Sequence, residues 1–312
     1  MTVVAVRRLG PVVLAGVTAI VSLGLFALAV AFDWLGADVG RGAQFCEVSD
    51  GPLNQPVNTL SNLGFVAAGL AIAVRAGRPG GLGRSTMSER PGLATAYACL
   101  VVLLGPASMA MHGTGTALGG DLDMLSMYLV AAFAASYAAM RLWRRGPVFL
   151  AVAYAGALAT CELVGLYDRP IPVVEFAGNV AFGVLLVVAM VLERRHAARN
   201  AVTLDLRWLA AAVGSLALAF AVWNTAKTGA FGCFPHSVYQ GHGVWHLLCA
   251  VSAYCLFRLY VSEAPAGDAA RRSRAAGPGP SHRSSAPRAP AGSRRTGAPP
   301  RHGSGVNGTP VS

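Results

Sequence analysis

The apolar residues of this chain come in long blocks, and polar residues gather between them. Eight blocks, at about 11–32, 57–75, 92–112, 121–142, 147–166, 173–193, 206–226 and 242–262, are nearly free of charge. Each is close to the ~20 residues that a helix needs to cross ~30 Å of hydrocarbon. None alternates apolar and polar positions with the period of two that a barrel strand requires. The blocks therefore predict α-helices, which satisfy their backbone groups internally. The expected architecture is an all-α integral membrane protein of eight spans.

Composition strengthens that reading. The chain is 54% hydrophobic and 12% charged, whereas a soluble domain carries about 25% charged residues. A net charge of +11 would ordinarily raise the question of nucleic acid, but the distribution answers it. All of the 25 basic residues except Arg41, Arg169 and Lys227 lie in the N-terminal segment, in alternate connections or in the tail. That segregation is a topology signal, and no basic patch interleaves with aromatics in a folded segment, so nucleic acid is not an expected partner. It predicts that both termini are cytoplasmic. A single Lys among many Arg, with abundant Ala, Gly and Val, points to a GC-rich bacterial genome and hence to a bacterial cytoplasmic membrane. Arg7 and Arg8 before the first block could also open a signal peptide. The apolar run exceeds the usual 7–15-residue core of such peptides, and it is read here as a retained helix. Residues 263–312, rich in Pro, Gly, Ser, Ala and Arg, cannot bury a core and are expected to be a disordered cytoplasmic tail.

Ionisable residues at span depth are costly and usually face a cavity, so they are where chemistry is sought. Of seven histidines, His196, His282 and His302 fall in cytoplasmic segments. His112, His236, His242 and His246 fall at the outer face. His112 closes the third block in GPASMAMHGTG, with Ser108 four residues earlier on the same helix face. Asp121 and Asp123 open the fourth block after a short link. In GHGVWH, His242 and His246 stand at i and i+4, a spacing that lets two imidazoles reach one metal. Three histidines with an open fourth position is the arrangement of a catalytic zinc site. An HxxxH pair alone is also compatible with ordinary interfacial histidines. Haem is a rival use that would leave Ser108 and Asp123 without a task. His236 reads as a loop residue.

These motifs carry a family resemblance. CEVSDGPLNQPVNTLSNLGF from Cys46, SMAMHGTGTALGGDLDMLSMY and GHGVWH together resemble the alkaline ceramidases, within a wider superfamily that includes adiponectin-receptor-like proteins. The likeness spans about 46–262, seven of the eight spans. It implies a seven-helix ceramidase-like domain, an added transmembrane helix and outer loop in 1–45, and a tail in 263–312. It implies zinc on His112, His242 and His246, with Asp123 and Ser108 as catalytic groups. It also implies a disulfide between Cys46 and Cys233, the two cysteines in outer loops, where oxidation is possible. The implied activity is hydrolysis of the amide of an N-acyl lipid drawn from the bilayer, ceramide or a ceramide-like molecule, to a fatty acid and an amine base. The alternative is a zinc-bearing membrane protein of receptor or signalling type without that activity. Relatives with a calcium site use an acidic stretch ahead of the first core helix. Here Cys46 and Glu47 match it, but Gln44, Ser49 and Gln55 stand where Asp, Asn and Glu are expected. Glu47 and Asp50 remain as candidate ligands, which leaves calcium doubtful, because that ion prefers several oxygens with carboxylate charge.

Overall fold

Residues 2–49, 51–167 and 169–267 are described in the computed structural model. Their helices are α1 (Thr2–Ala31), α2 (Pro56–Ser61), α3 (Leu63–Gly77), α4 (Thr86–Glu89), α5 (Pro91–Thr114), α6 (Ala117–Leu142), α7 (Pro147–Gly165), α8 (Ala177–Asn200), α9 (Leu206–Thr225) and α10 (Gly241–Val261). Two short strands, β1 (Val202–Thr203) and β2 (Ala264–Pro265), pair antiparallel. Eight helical segments are long and apolar enough to cross a membrane: α1 from Gly10, α2 with α3, and each of α5 to α10. The protein is thus an all-α, eight-span membrane protein.

Local chemistry explains where the spans begin. Pro56, Pro91 and Pro147 each open a helix, at the position where a missing N–H costs nothing. The Thr116 side chain accepts from Gly119 N and caps α6. Between α5 and α6 only Gly115 and Thr116 intervene, and Gly115 has φ +65°. A Cβ there would lie 2.3 Å from Asp38 Oδ1, so this turn requires glycine on two counts.

Packing centres on α6, whose run Ala131–Leu142 is buried throughout. The small residues of AAFAASYAAM let α5, α7 and α8 approach closely. Tyr97, Phe133, Tyr137, Phe257 and Tyr260 form an aromatic layer between α5, α6 and α10, and Tyr97 donates to Ala253 O at 2.9 Å. The first span, α1, packs on α3 and α5. Val148, Val152, Leu163 and Leu166 of α7 and its end are exposed, as expected of side chains that face lipid rather than water.

The structure departs from the sequence reading in three places. The sixth span begins at Ala177 instead of 173, because Ile171 and Glu175 pair in a tight turn. It also continues to Asn200. The link expected after His112 is largely helical, which puts Asp123 in the second turn of α6. The ordered chain also passes residue 262. Glu263 is buried, and Ala264–Pro265 pair with Val202–Thr203. Residues 268–312, most of the expected tail, lie outside the described residues, as does Asp50.

At the end of the bundle away from His112, His242 and His246, Arg141 is buried and binds Glu193 and Glu263, the latter at 3.2 Å. His196 Nε2 meets Glu263 at 3.0 Å, and Asn200 meets His196 Nδ1 at 2.9 Å. The sequence places His196 in a cytoplasmic segment and counts Arg141 among the basic residues that set topology, with no partner expected for either. Instead, the ends of α6, α8 and α10 converge and pair them.

Candidate metal centre

The last turn of α5 and the first two turns of α10 meet beside the loops that precede α2 and α10. They bring His112, His242 and His246 into a cluster in which one nitrogen of each lies within 4.8 Å of the others. All three are buried, at 1%, 4% and 3% exposure. Burying three imidazoles without a carboxylate partner is unfavourable unless their nitrogens find another role.

Hydrogen bonds fix two of the three rings. Gln55 donates through Nε2 to Gly42 O, Glu47 O and Phe45 O, at 2.8, 3.3 and 3.5 Å. Its Oε1 must therefore face the other way, where it accepts from His112 Nδ1 at 2.7 Å. Ser61 gives its only proton to Asn58 O at 2.8 Å. It can then only accept from His246 Nδ1, also at 2.8 Å. Both rings carry their proton on Nδ1 and turn a bare Nε2 into the cluster. His112 Nε2 lies 3.1 Å from His242 Nε2, and His242 Nδ1 has no partner. Two nitrogens ~2.0–2.1 Å from one tetrahedral zinc would stand about 3.3 Å apart. The donor set, tautomers and spacing all fit a bound metal ion. Imidazole donors suit zinc among several transition metals. Gln55 and Ser61 would thus act as outer partners of these rings if they hold a metal, and Phe45 stacks on His242 with ring centroids 3.5 Å apart.

Ser108 lies one helical turn below His112 and is buried. Its side chain and that of Asp123, which is partly buried, line the same space. Ser108, Asp123, His242 and His246 line one cavity of about 1120 Å³. At the histidine end it is bounded by Arg41 and Asp121, which pair at 3.0 Å. From there it runs along α8 to Glu193 at the opposite end of the bundle. Helix α8 packs on α6 and α7, while α9 packs on α10. The cavity lies between these groups, lined by Val184 and Val187 on one side and Leu216 and Phe220 on the other. His236 is exposed and takes no part in the cluster.

The outer loops are tied to this site. Cys46 and Cys233 form a disulfide with Cα atoms 5.3 Å apart, joining the segment before α2 to the one before α10. Glu47, a candidate cation ligand from the sequence, is engaged with the backbone of α2. Its carboxylate accepts from Val57 N and Asn58 N, both at 2.7 Å, and caps α2. Burial pushes this carboxyl above the usual range, and the two N–H bonds oppose that rise. The other carboxylate read as a cation ligand, Asp50, is outside the described residues.

Ser61 and Phe45 were not singled out from the sequence, and Gln55 was noted only as a departure from an acidic calcium stretch, not as a partner of His112. The signal was present in NQPVNTLSNLGF, where polar residues recur through the start of a span that lipid should have made apolar.

No curated protein matches the chain. A family model described as Ceramidase matches residues 54–264, which include α2 to α10 and Ser108, His112, Asp123, His242 and His246. The chain belongs to the ceramidase family.

Proposed function

We propose that this protein hydrolyses the amide bond of an N-acyl lipid of the ceramide type, with zinc held by His112, His242 and His246. The observation that carries this reading is the meeting of a three-imidazole cluster, the buried Ser108 and the half-buried Asp123 at one end of a large cavity between apolar helix faces. Bound zinc would polarise the amide carbonyl and bring the pKa of water down towards ~7.

The chain's own groups then divide the work. Asp123 takes a proton from the attacking water and passes it to the departing amine nitrogen, so that the C–N bond breaks as a C–O bond is made. Ser108 donates a hydrogen bond to the oxygen on which charge develops. Gln55 and Ser61 keep the His112 and His246 rings turned with Nε2 inward. Water and amide yield one fatty acid and one amine base.

The cavity supports a lipid substrate. A chain anchored by its amide at the histidines could lie between α8 and α9, shielded from water and open towards the bilayer. The basic-residue asymmetry supports an orientation with this end of the bundle on the outer side and both termini in the cytoplasm.

The test is zinc content, by elemental analysis, beside amide hydrolysis for the purified protein and for His112→Ala, His242→Ala and His246→Ala. Each substitution is expected to remove metal and hydrolysis together, because two ligands hold zinc poorly. Full hydrolysis by His246→Ala would overturn the mechanism.

A further inference from the structure

We infer that the side-chain amide of Gln55 occupies the position of a cation in the outer loop, which makes the setting of His112 independent of a second divalent ion. Three main-chain carbonyls of one loop, those of Gly42, Phe45 and Glu47, converge on a single atom, Gln55 Nε2. Carbonyl oxygens so gathered repel one another unless something positive or hydrogen-bearing lies among them. Calcium sites are commonly built from such carbonyls, completed by carboxylates to six to eight oxygens. Here the centre is filled by an NH₂ group, which carries two protons and partial positive charge.

The surroundings agree with that substitution. Gln55 is 5% exposed, so its amide has no competing water. Gly42 adopts φ +89°, a turn that brings its carbonyl inward, and a Cβ there would lie 3.5 Å from Gln55 Oε1. The Glu47 carboxylate is turned to Val57 N and Asn58 N, away from the carbonyl nest. On the far side of the amide, Oε1 accepts from His112 Nδ1 and, at 3.2 Å, from Asn58 Nδ2. One planar group therefore satisfies the nest with one edge and orients a candidate metal ligand with the other. Gln55 is a positioning residue: it acts through His112.

The nest itself does not depend on the proposed activity, whereas the effect on metal binding does. The experiment separates the two. Thermal unfolding midpoints of the purified full chain are measured in detergent, in EGTA and in millimolar calcium, for the unaltered protein, Gln55→Glu and Gln55→Met. The unaltered protein is expected to melt at the same temperature in both. Gln55→Met, which keeps the shape but donates nothing, should melt lower by roughly 5 °C in both. Gln55→Glu should melt lower in EGTA and recover with calcium, because the introduced carboxylate removes the donor and supplies the charge that the carbonyls lack. In calcium it should also hold zinc better than Gln55→Met does. A saturable calcium stabilisation of the unaltered protein would overturn the inference. So would a Gln55→Met variant as stable as the parent, or a Gln55→Glu variant indifferent to calcium. If the midpoints behave as expected but none of the three proteins binds zinc, the amide-for-cation inference stands and the zinc reading fails.

Discussion

Asp123 and the three histidines answer to different tests because they do different things. On the proposed function, removing an imidazole would remove a bond to metal, whereas Asp123→Asn keeps the shape and most hydrogen bonding of a group that lines the cavity with Ser108. That variant is expected to retain zinc while turnover falls by about 10²–10⁴, the usual worth of a positioned acid–base group. Ser108→Ala should cost about 10²–10³. Metal analysis and hydrolysis on the same preparations check both; loss of zinc from Asp123→Asn would make it a ligand instead. Ser108, His112, His242 and His246 were legible in the sequence because helical spacing puts i and i+4 on one face. Asp123 was legible from its place just after them. Gln55 and Ser61 were not. Their roles depend on which way an amide and a hydroxyl turn, and each bonds a histidine far off in sequence, 57 and 185 residues away.

Helix ends carry the second layer of specificity. At the histidine end a glycine turn joins α5 to α6, and the Glu47 carboxylate caps α2. At the opposite end Glu263, just after α10, joins Arg141 of α6, His196 of α8 and Thr86 at the start of α4. Burial disfavours the Glu263 carboxylate, but the His196 hydrogen bond and the Arg141 charge outweigh it and hold the group down at about 2. The unfolded value is near 4.5. Between these two values the unfolded chain binds the extra proton, so stability rises with pH there. The contribution is complete above about pH 4.5 and disappears as pH falls through about 2. Glu263→Gln should therefore cost on the order of 3 kcal/mol near neutrality. The difference from the parent should shrink steadily as pH is lowered below 4.5, as read by chemical or thermal unfolding in detergent. A gap independent of pH would contradict this ion-pair account. The sequence concealed the cluster for a physical reason. Charges next to a span are normally solvated and set topology, and only the convergence of three helix ends buries these.

Across the whole molecule, eight spans were readable from block length alone, since hydrocarbon thickness dictates it. Their packing order was not. A lipid-facing side and a helix-facing side are equally apolar, as the exposed Val148 and Val152 and the buried Ala131 and Ala132 illustrate, so periodicity carries little information about which is which. The cavity between α8 and α9 was likewise invisible. From Gly178 to Glu193 it follows α8 for about 22 Å at 1.5 Å per residue, more than one leaflet of a ~30 Å hydrocarbon core. A long acyl chain held by its amide at the histidines fits that length, and this joins site and scaffold into one account. The most direct test is product release from a panel of N-acyl lipids by the purified protein, before metal is stripped, after stripping, and after zinc is returned. The account predicts fatty acid and amine in equal amounts, lost on stripping and restored by zinc. A fully zinc-loaded protein that releases neither product from any lipid of the panel would contradict it.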